Sequence, residues 1–447
     1  MGLGRSVVLA WLMSSALVSV AQAGSFEEAL KSAYETNPRV QAQRRVLEQT
    51  NERVSQARSA FLPDISANYT KGRQRTSFDA ADWNAGNTET RTLTVNQSIF
   101  NGGTNIYNFR SSENRVLADR AGLSGVHQTV LMDAVKAYMD VVKNQAVLEL
   151  SKNNSDVLEK QLQASRDRFK VGDVTRTDVA QSEARVARSK SDVIQAKGDL
   201  ETAIATFERV IGYKPKIPLT MPEYYPALPK DISEAIEVAI ASNPNLQSAQ
   251  HDKNAADDNI NATIGTLLPQ LSLVGSMERQ DGAGVTGNSQ FDTDAVKLNV
   301  SLPLYRTGAE YSRVRTAQLI SKQQGFKVAD SNQEVRENMI RTWENLQTAT
   351  ATIESQERVI DAAKIALDGV KQENQHGSRT VLDVLDAEQE LFAARVNLVR
   401  AQHSRAVAFY NVLLVLGKLD FDTLRIDAKE YDPKEHYNSV KWKMIGF

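Results

Sequence analysis

Two periodicities divide this chain. From Pro63 onward apolar and polar residues alternate singly, with Ile65, Ala67 and Tyr69 set between Asp64, Ser66, Asn68 and Thr70. The alternation returns with Leu93, Val95 and Ile99 among Thr92, Thr94, Asn96 and Ser98, then at Leu271 and Leu273, and again at Val296, Leu298, Val300 and Leu302. A period of two gives an extended strand one apolar and one polar side, so the pattern predicts four strands. They fall in two long hairpins, near 63–101 and 269–305. The polar, Gly- and Asp-containing stretches Thr76 to Thr90 and Asp281 to Thr293 read as loop tips.

Elsewhere the period is that of helix. Between Ala121 and Leu150 one stripe runs Val126, Val130, Ala134, Ala137, Val141 and a second runs Leu131, Val135, Tyr138, Val142, Ala146. Steps of three and four give a repeat near 3.5 residues, that of packed coiled helices. Two stripes on one helix require neighbours on two sides, as in a wall of helices. No proline interrupts the chain from Gly103 to Ile211 or from Gly308 to Leu416, and only Val171-Gly172-Asp173 and His376-Gly377-Ser378 break the pattern. These breaks predict turns between antiparallel helices, with tips at Gly172 and Gly377. From Gly103 to Gly172 the chain would form a rod on the order of 100 Å at about 1.5 Å per residue.

Both patterns occur twice because the chain is duplicated. EALKSAYETNPRVQ, Glu28 to Gln41, returns as EAIEVAIASNPNLQ, Glu234 to Gln247. Asn37-Pro38 and Asn243-Pro244 predict helix starts, with asparagine as cap and proline in the first turn; Leu62-Pro63 and Leu268-Pro269 end those helices. The organisation expected is repeat 1 over 24–212, a linker over 213–232, repeat 2 over 233–417 and a terminal segment over 418–447, after a signal peptide over 1–23. The leader is read from Arg5, the apolar run Val7 to Val20, and the small-x-small site Ala21-Gln22-Ala23.

Composition narrows the function. With 53 basic and 55 acidic residues the charges nearly cancel, which speaks against nucleic acid as a partner. No cysteine is present, so no disulfide forms and no thiol is available for a lipid anchor. No run beyond Ala23 reaches the about 20 apolar residues of a membrane-spanning helix, so any insertion must use strands. An open hairpin leaves unpaired backbone that lipid cannot satisfy, and single-wall barrels need about eight strands or more. Four strands per chain therefore predict a barrel shared by several chains.

At this point the residues resemble a known family. GSRTVLDVLDAEQELFAARVNL, Gly377 to Leu398, and VGDVTRTDVAQSEARV, Val171 to Val186, are similar to the two tip elements of the TolC-type outer-membrane efflux proteins. The resemblance implies an α+β membrane protein: a homotrimer whose twelve-stranded transmembrane β-barrel continues into a long periplasmic α-helical barrel. It implies location in the outer membrane of a Gram-negative bacterium, with outer-membrane lipid around it. The function implied is the passive exit duct of a tripartite export system, for type I protein secretion and/or multidrug efflux. Its partners would be a periplasmic adaptor and an inner-membrane transporter of the ABC or RND type, with no cofactor.

The resemblance also implies a tip closed at rest, with an acidic constriction at Asp383 and Asp386 and closing links at Arg379, Asp178 and Gln161. This chain departs from the pattern at Asn374, where TolC has a tyrosine. The residues alone allow other roles. Asp383 and Asp386 share a helix face, and carboxylates gathered at a threefold axis would have raised pKa values and attract cations. Thr380 with Asp383, and Thr175 with Asp178, also fit helix-start capping boxes, while Asp386 lies beyond capping reach. The histidines His127, His251, His376, His403 and His436 lack metal spacing and read as isolated surface residues, so no metal is expected. Gly282 to Gly287 matches a dinucleotide fingerprint but precedes a strand, so it reads as a loop tip and not a nucleotide site. The competing function is a periplasmic adaptor, which has helical hairpins but not two matched ones fused to strands. An outer-membrane enzyme is disfavoured for want of a catalytic cluster.

Overall fold

The computed structural model describes residues 25–77, 83–222, 224–284, 287–305, 307–443 and 446; the expected signal peptide lies outside them. Helix α1 (Phe26–Thr36) and helix α2 (Pro38–Ser59) lead into strands β1 (Asp64–Ser77) and β2 (Trp83–Asn101). Two helices of very different length follow, α3 (Thr104–Lys170) and α4 (Arg176–Ile211). The series then repeats as α5 (Ile232–Ser242), α6 (Pro244–Gly265), β3 (Gln270–Gly284), β4 (Gly287–Ser301), α7 (Ala309–Gln375) and α8 (Val381–Val415). Pro38 and Pro244 start equivalent helices 206 residues apart, and beyond the strands Thr104 and Ala309 do so 205 apart. The short helices α9 (Phe421–Leu424) and α10 (Glu435–Val440) end the chain. Among the described residues no helix is long and apolar enough to cross a membrane.

The four strands form one antiparallel sheet in chain order, so β2 pairs with β3 across the repeats while β1 and β4 each keep a free edge. Its extent corrects the sequence reading. The stretches expected as loop tips are mostly ladder: β1 pairs with β2 out to Ser77 and Trp83, and β3 pairs with β4 out to Gly284 and Gly287. Backbone pairing continues where the side chains are polar on both faces, because ladder bonds do not need an apolar face. Of the glycine-rich fingerprint, Gly282 to Gly284 and Gly287 are in the ladder, with Gly282 opposite Ser289, while Val285 and Thr286 lie outside the described residues.

Helices α3 and α7 have 67 residues each, close to 100 Å at about 1.5 Å per residue. α3 packs against α4 and α8 over its lower part and against α2 and α6 over its upper part. The short helices stack nearly end to end at one level, and the Asn-Pro motifs explain how. Asn37 Oδ1 accepts from Arg39 N at the start of α2, while its Nδ2 donates to the Val210 carbonyl at the end of α4 at 3.2 Å. Asn243 does the same between Asn245 N and the Val415 carbonyl, again 3.2 Å from Nδ2. One side chain thus satisfies an orphan donor of one helix and an orphan acceptor of another. Gly417 follows with φ +68, and a Cβ there would meet the Ser242 carbonyl oxygen at 2.4 Å.

The main core lies at this level. Four of the five residues in each stripe foreseen on α3 are inside it, Val130, Ala134, Ala137 and Val141 on one and Leu131, Val135, Tyr138 and Val142 on the other, while Val126 packs against it and Ala146 is half-buried. Tyr138, Phe207 and Tyr410 are almost wholly buried, and Phe26 bridges Tyr138 and Tyr410 at 5.3 and 5.4 Å between ring centroids. Burial of such side chains contributes about 1.5–3 kcal/mol each. The largest fully buried aromatics lie here, and toward the tip the rod is held by smaller clusters of leucine, isoleucine, valine and alanine.

Candidate functional site

The tip is built by two similar turns. α3 ends with Gly172 at φ +82, its N–H bonded to the Phe169 carbonyl, while Asp173 N–H reaches back to the Arg168 carbonyl at 3.0 Å. α7 ends likewise with Gly377 at φ +77 and Ser378 N–H bonded to the Glu373 carbonyl at 3.0 Å. Only glycine enters this left-handed region without strain, so each turn closes on the residue the sequence singled out.

Beyond the turns, α4 and α8 start with complete capping boxes. Thr175 Oγ1 accepts from Asp178 N–H and Asp178 Oδ2 accepts from Thr175 N–H at 2.8 Å; Thr380 and Asp383 repeat this, also at 2.8 Å. Asp383 is therefore a cap. The Thr380 backbone N–H and hydroxyl hold its carboxyl below the usual range, whereas like charge led us to expect a rise. The rise requires other carboxylates nearby, and within one chain the bonds to Thr380 dominate. Asp386, which sequence alone left without a partner, faces Arg185 of α4 at 2.5 Å. That ion pair ties the second hairpin to the first.

Arg379 does not meet Asp178 within the chain. It turns to Glu373 at 2.9 Å and to Asp383 at 3.9 Å. Gln161 is half-buried on α3. A second link between the two hairpins at the tip is one that sequence reasoning missed. Arg168 donates from Nη1 to Asn374 Oδ1 at 3.0 Å, and Asn374 Nδ2 donates to the Arg379 carbonyl at 2.8 Å. Asn374 is 7% exposed, and both polar atoms of its side chain have a partner at the position that departs from TolC. Its only signal in the sequence was that departure. Next to this network Leu158, Leu162, Val186, Val381 and Leu385 form a small core shared by both hairpins.

Four of the five histidines depart from the surface reading: His127, His251, His403 and His436 are half-buried, and His436 Nε2 lies 3.7 Å from Glu52 Oε1. His127 packs edge-on against Tyr34 at 4.7 Å, and burial, with the Arg44 charge adding to it, pushes its pKa down to about 4. His403 Nε2 lies 3.0 Å from Asp140 Oδ1. Burial pushes the Asp140 carboxyl up, but bonds from His403 and Lys143 outweigh it and bring it to about 2. Among the described residues no group of three or more His, Cys, Asp and Glu could hold a metal ion.

The other functional surface is one face of the sheet. Val296, Leu298 and Val300 stand on it 61–79% exposed, and Leu302 and Leu304 continue the apolar run just past the end of β4. So much contiguous apolar area on an ordered sheet marks a surface that meets lipid or protein. Together with paired long hairpins and a polar opposite face, it defines the subunit of a membrane channel. The chain belongs to the outer membrane efflux protein family, whose model matches it twice, over residues 29–213 and 235–418. It is 33% identical over 445 residues to the outer membrane efflux protein BepC of Brucella suis biovar 1, covering 99% of this chain and 96% of that protein. It is 24% identical to the outer membrane protein TolC of Escherichia coli K12, over 92% of this chain and 86% of TolC. The crystal structure of the Campylobacter jejuni CmeC outer membrane channel superposes with a TM-score of 0.77 at 17% identity, covering 93% of this chain and 89% of that one. The protein is thus an outer-membrane exit channel of an export system, reaching into the periplasm, in a family of channels and not enzymes. The adaptor alternative is set aside.

Proposed function

We propose that three copies close a twelve-stranded barrel through their free β1 and β4 edges, and that their hairpins continue it as a passive helical tube across the periplasm. The observation that carries this reading is an exposed apolar sheet face bounded by two unpaired edges, which no single chain can shelter in lipid. The tube would dock through a periplasmic adaptor onto an inner-membrane transporter of the ABC or RND type, which supplies the energy and selects the cargo. The efflux name of the B. suis relative supports efflux, and type I protein secretion is the second use of the same duct. Heat-resistant trimer migration together with single-channel conductance in planar bilayers tests the conduit. A monomer without conductance overturns it.

The gate belongs to the tip. Asp383 and Asp386 would line the constriction, their side chains still 37% and 56% exposed in the chain. Arg379, Asp178 and Gln161 remain candidates for links between subunits, with Gly172 and Gly377 shaping the two turns.

A further inference from the structure

The outward face of the sheet changes character along one registered row. On that face Ala67, Leu93 and Met277 stand side by side with Asp294 closing the row, and below them come Ile65, Val95, Gly275 and Val296. One step above, the row reads Tyr69, Arg91, Arg279, Asp292. Arg91 and Arg279 are direct cross-strand partners, with side chains 58% and 67% exposed. Like charges placed opposite each other on a sheet destabilise it, so folding alone gives no reason for this pair. Neither guanidinium is fully engaged. Glu89 closes on Lys71 at 2.5 Å and stays 3.4 Å from Arg91, and Asp292 lies 3.6 Å from Arg279.

The height of the row gives the pair a ligand. The apolar set Val296, Leu298 and Val300 of β4 continues past the strand's end as Leu302 and Leu304, a run that spans at most about 27 Å at about 3.4 Å per residue. A barrel strand tilted by about 40° brings that to roughly 20 Å, close to the apolar band of an outer-membrane barrel. The arginines stand just above its outer edge beside the exposed ring of Tyr69, the side chain usual at such a boundary. A groove of about 640 Å³ lies at this level, lined by Tyr69, Arg91, Leu93, Met277, Arg279 and Asp294. Its lower wall carries Leu93 and Met277 with Asp294 at their side, and its upper wall carries the paired fork-shaped donors beside Asp292. β2 and β3 are paired on both edges within one chain, so the groove does not depend on a subunit seam.

We propose that Arg91 and Arg279 bind the phosphate of an outer-leaflet phosphoglycolipid, whose acyl chains lie over Leu93 and Met277. Guanidinium pairs hold phosphate through two parallel hydrogen bonds each, and the anion removes the repulsion between the two cations. The inference rests on the sheet being a membrane wall. Native mass spectrometry of the purified oligomer tests it, with diphosphorylated hexa-acyl lipid A and the same lipid stripped of phosphate as probes. The phosphorylated lipid should stay bound at about tenfold lower concentration to the native protein than to the Arg91→Gln/Arg279→Gln variant, and the stripped lipid should bind both weakly and alike. In lipid-free detergent the variant should be at least as heat-stable as the native protein. Equal retention by both proteins, indifference to the phosphate, or a marked loss of heat stability overturns the lipid site while leaving the conduit intact. A monomer that stays out of bilayers overturns both.

Discussion

Asn374 shows how far one residue can mislead when its place is known and its neighbours are not. From sequence it marked a missing tyrosine; in the structure it bridges Arg168 and the Arg379 carbonyl. The partner comes from the other repeat, so no local pattern announces it. Asp383 and Asp386 show the reverse: the capping box was legible because it is a matter of three-residue spacing, but Arg185, opposite Asp386, was not. If these carboxylates line the constriction, Asp383→Ala with Asp386→Ala weakens block by multivalent cations, because the ring's charge supplies the attraction. Unchanged block in planar-bilayer recordings sinks that assignment. His127 carries a pH prediction. Its folded pKa of about 4 lies below the unfolded value of 6.5, so the unfolded chain binds more protons between them and stability falls as pH drops through that window. The loss is of the order of 3 kcal/mol per chain. Thermal midpoints measured from pH 7 down to about 4 should decline less steeply in His127→Phe than in the native protein.

At the scale of elements, periodicity located the helices and strands well and their ends less well. Proline and glycine punctuated α2, α6 and the two tips where expected, since those residues act through their own backbone. The hairpin ends were hidden, because polar ladder and polar loop have the same composition. Asn37 and Asn243 were legible as caps but not as bridges to Val210 and Val415. The bridge can be separated from the cap by substitution. Asn243→Ser keeps a capping oxygen but is too short to reach the Val415 carbonyl, whereas Asn243→Ala loses both. Denaturation midpoints should rank native above Ser above Ala, with the cap worth about 1 kcal/mol. Equal midpoints for Ser and native would show the bridge to be idle.

For the whole molecule, the two hairpins meet at the tip through Arg168 with Asn374, Arg185 with Asp386, and the small apolar cluster around Leu158 and Leu385. A tube that opens at its tip must part these contacts or carry them along. Arg168→Ala should therefore raise single-channel conductance or the fraction of time open, and conductance identical to native would place the gate elsewhere. The sequence by itself determined the duplication, the two periodicities and the turns, because periodicity and punctuation are matters of local stereochemistry, and the cost of bare backbone in lipid is what brings sister chains into the proposal. Only the tertiary structure decided which side chains cross between the hairpins, and that Arg91 and Arg279 stand side by side above the apolar band. Such pairings depend on strand register and on how long rods lie against each other, and residues some two hundred positions apart carry no local sign of either.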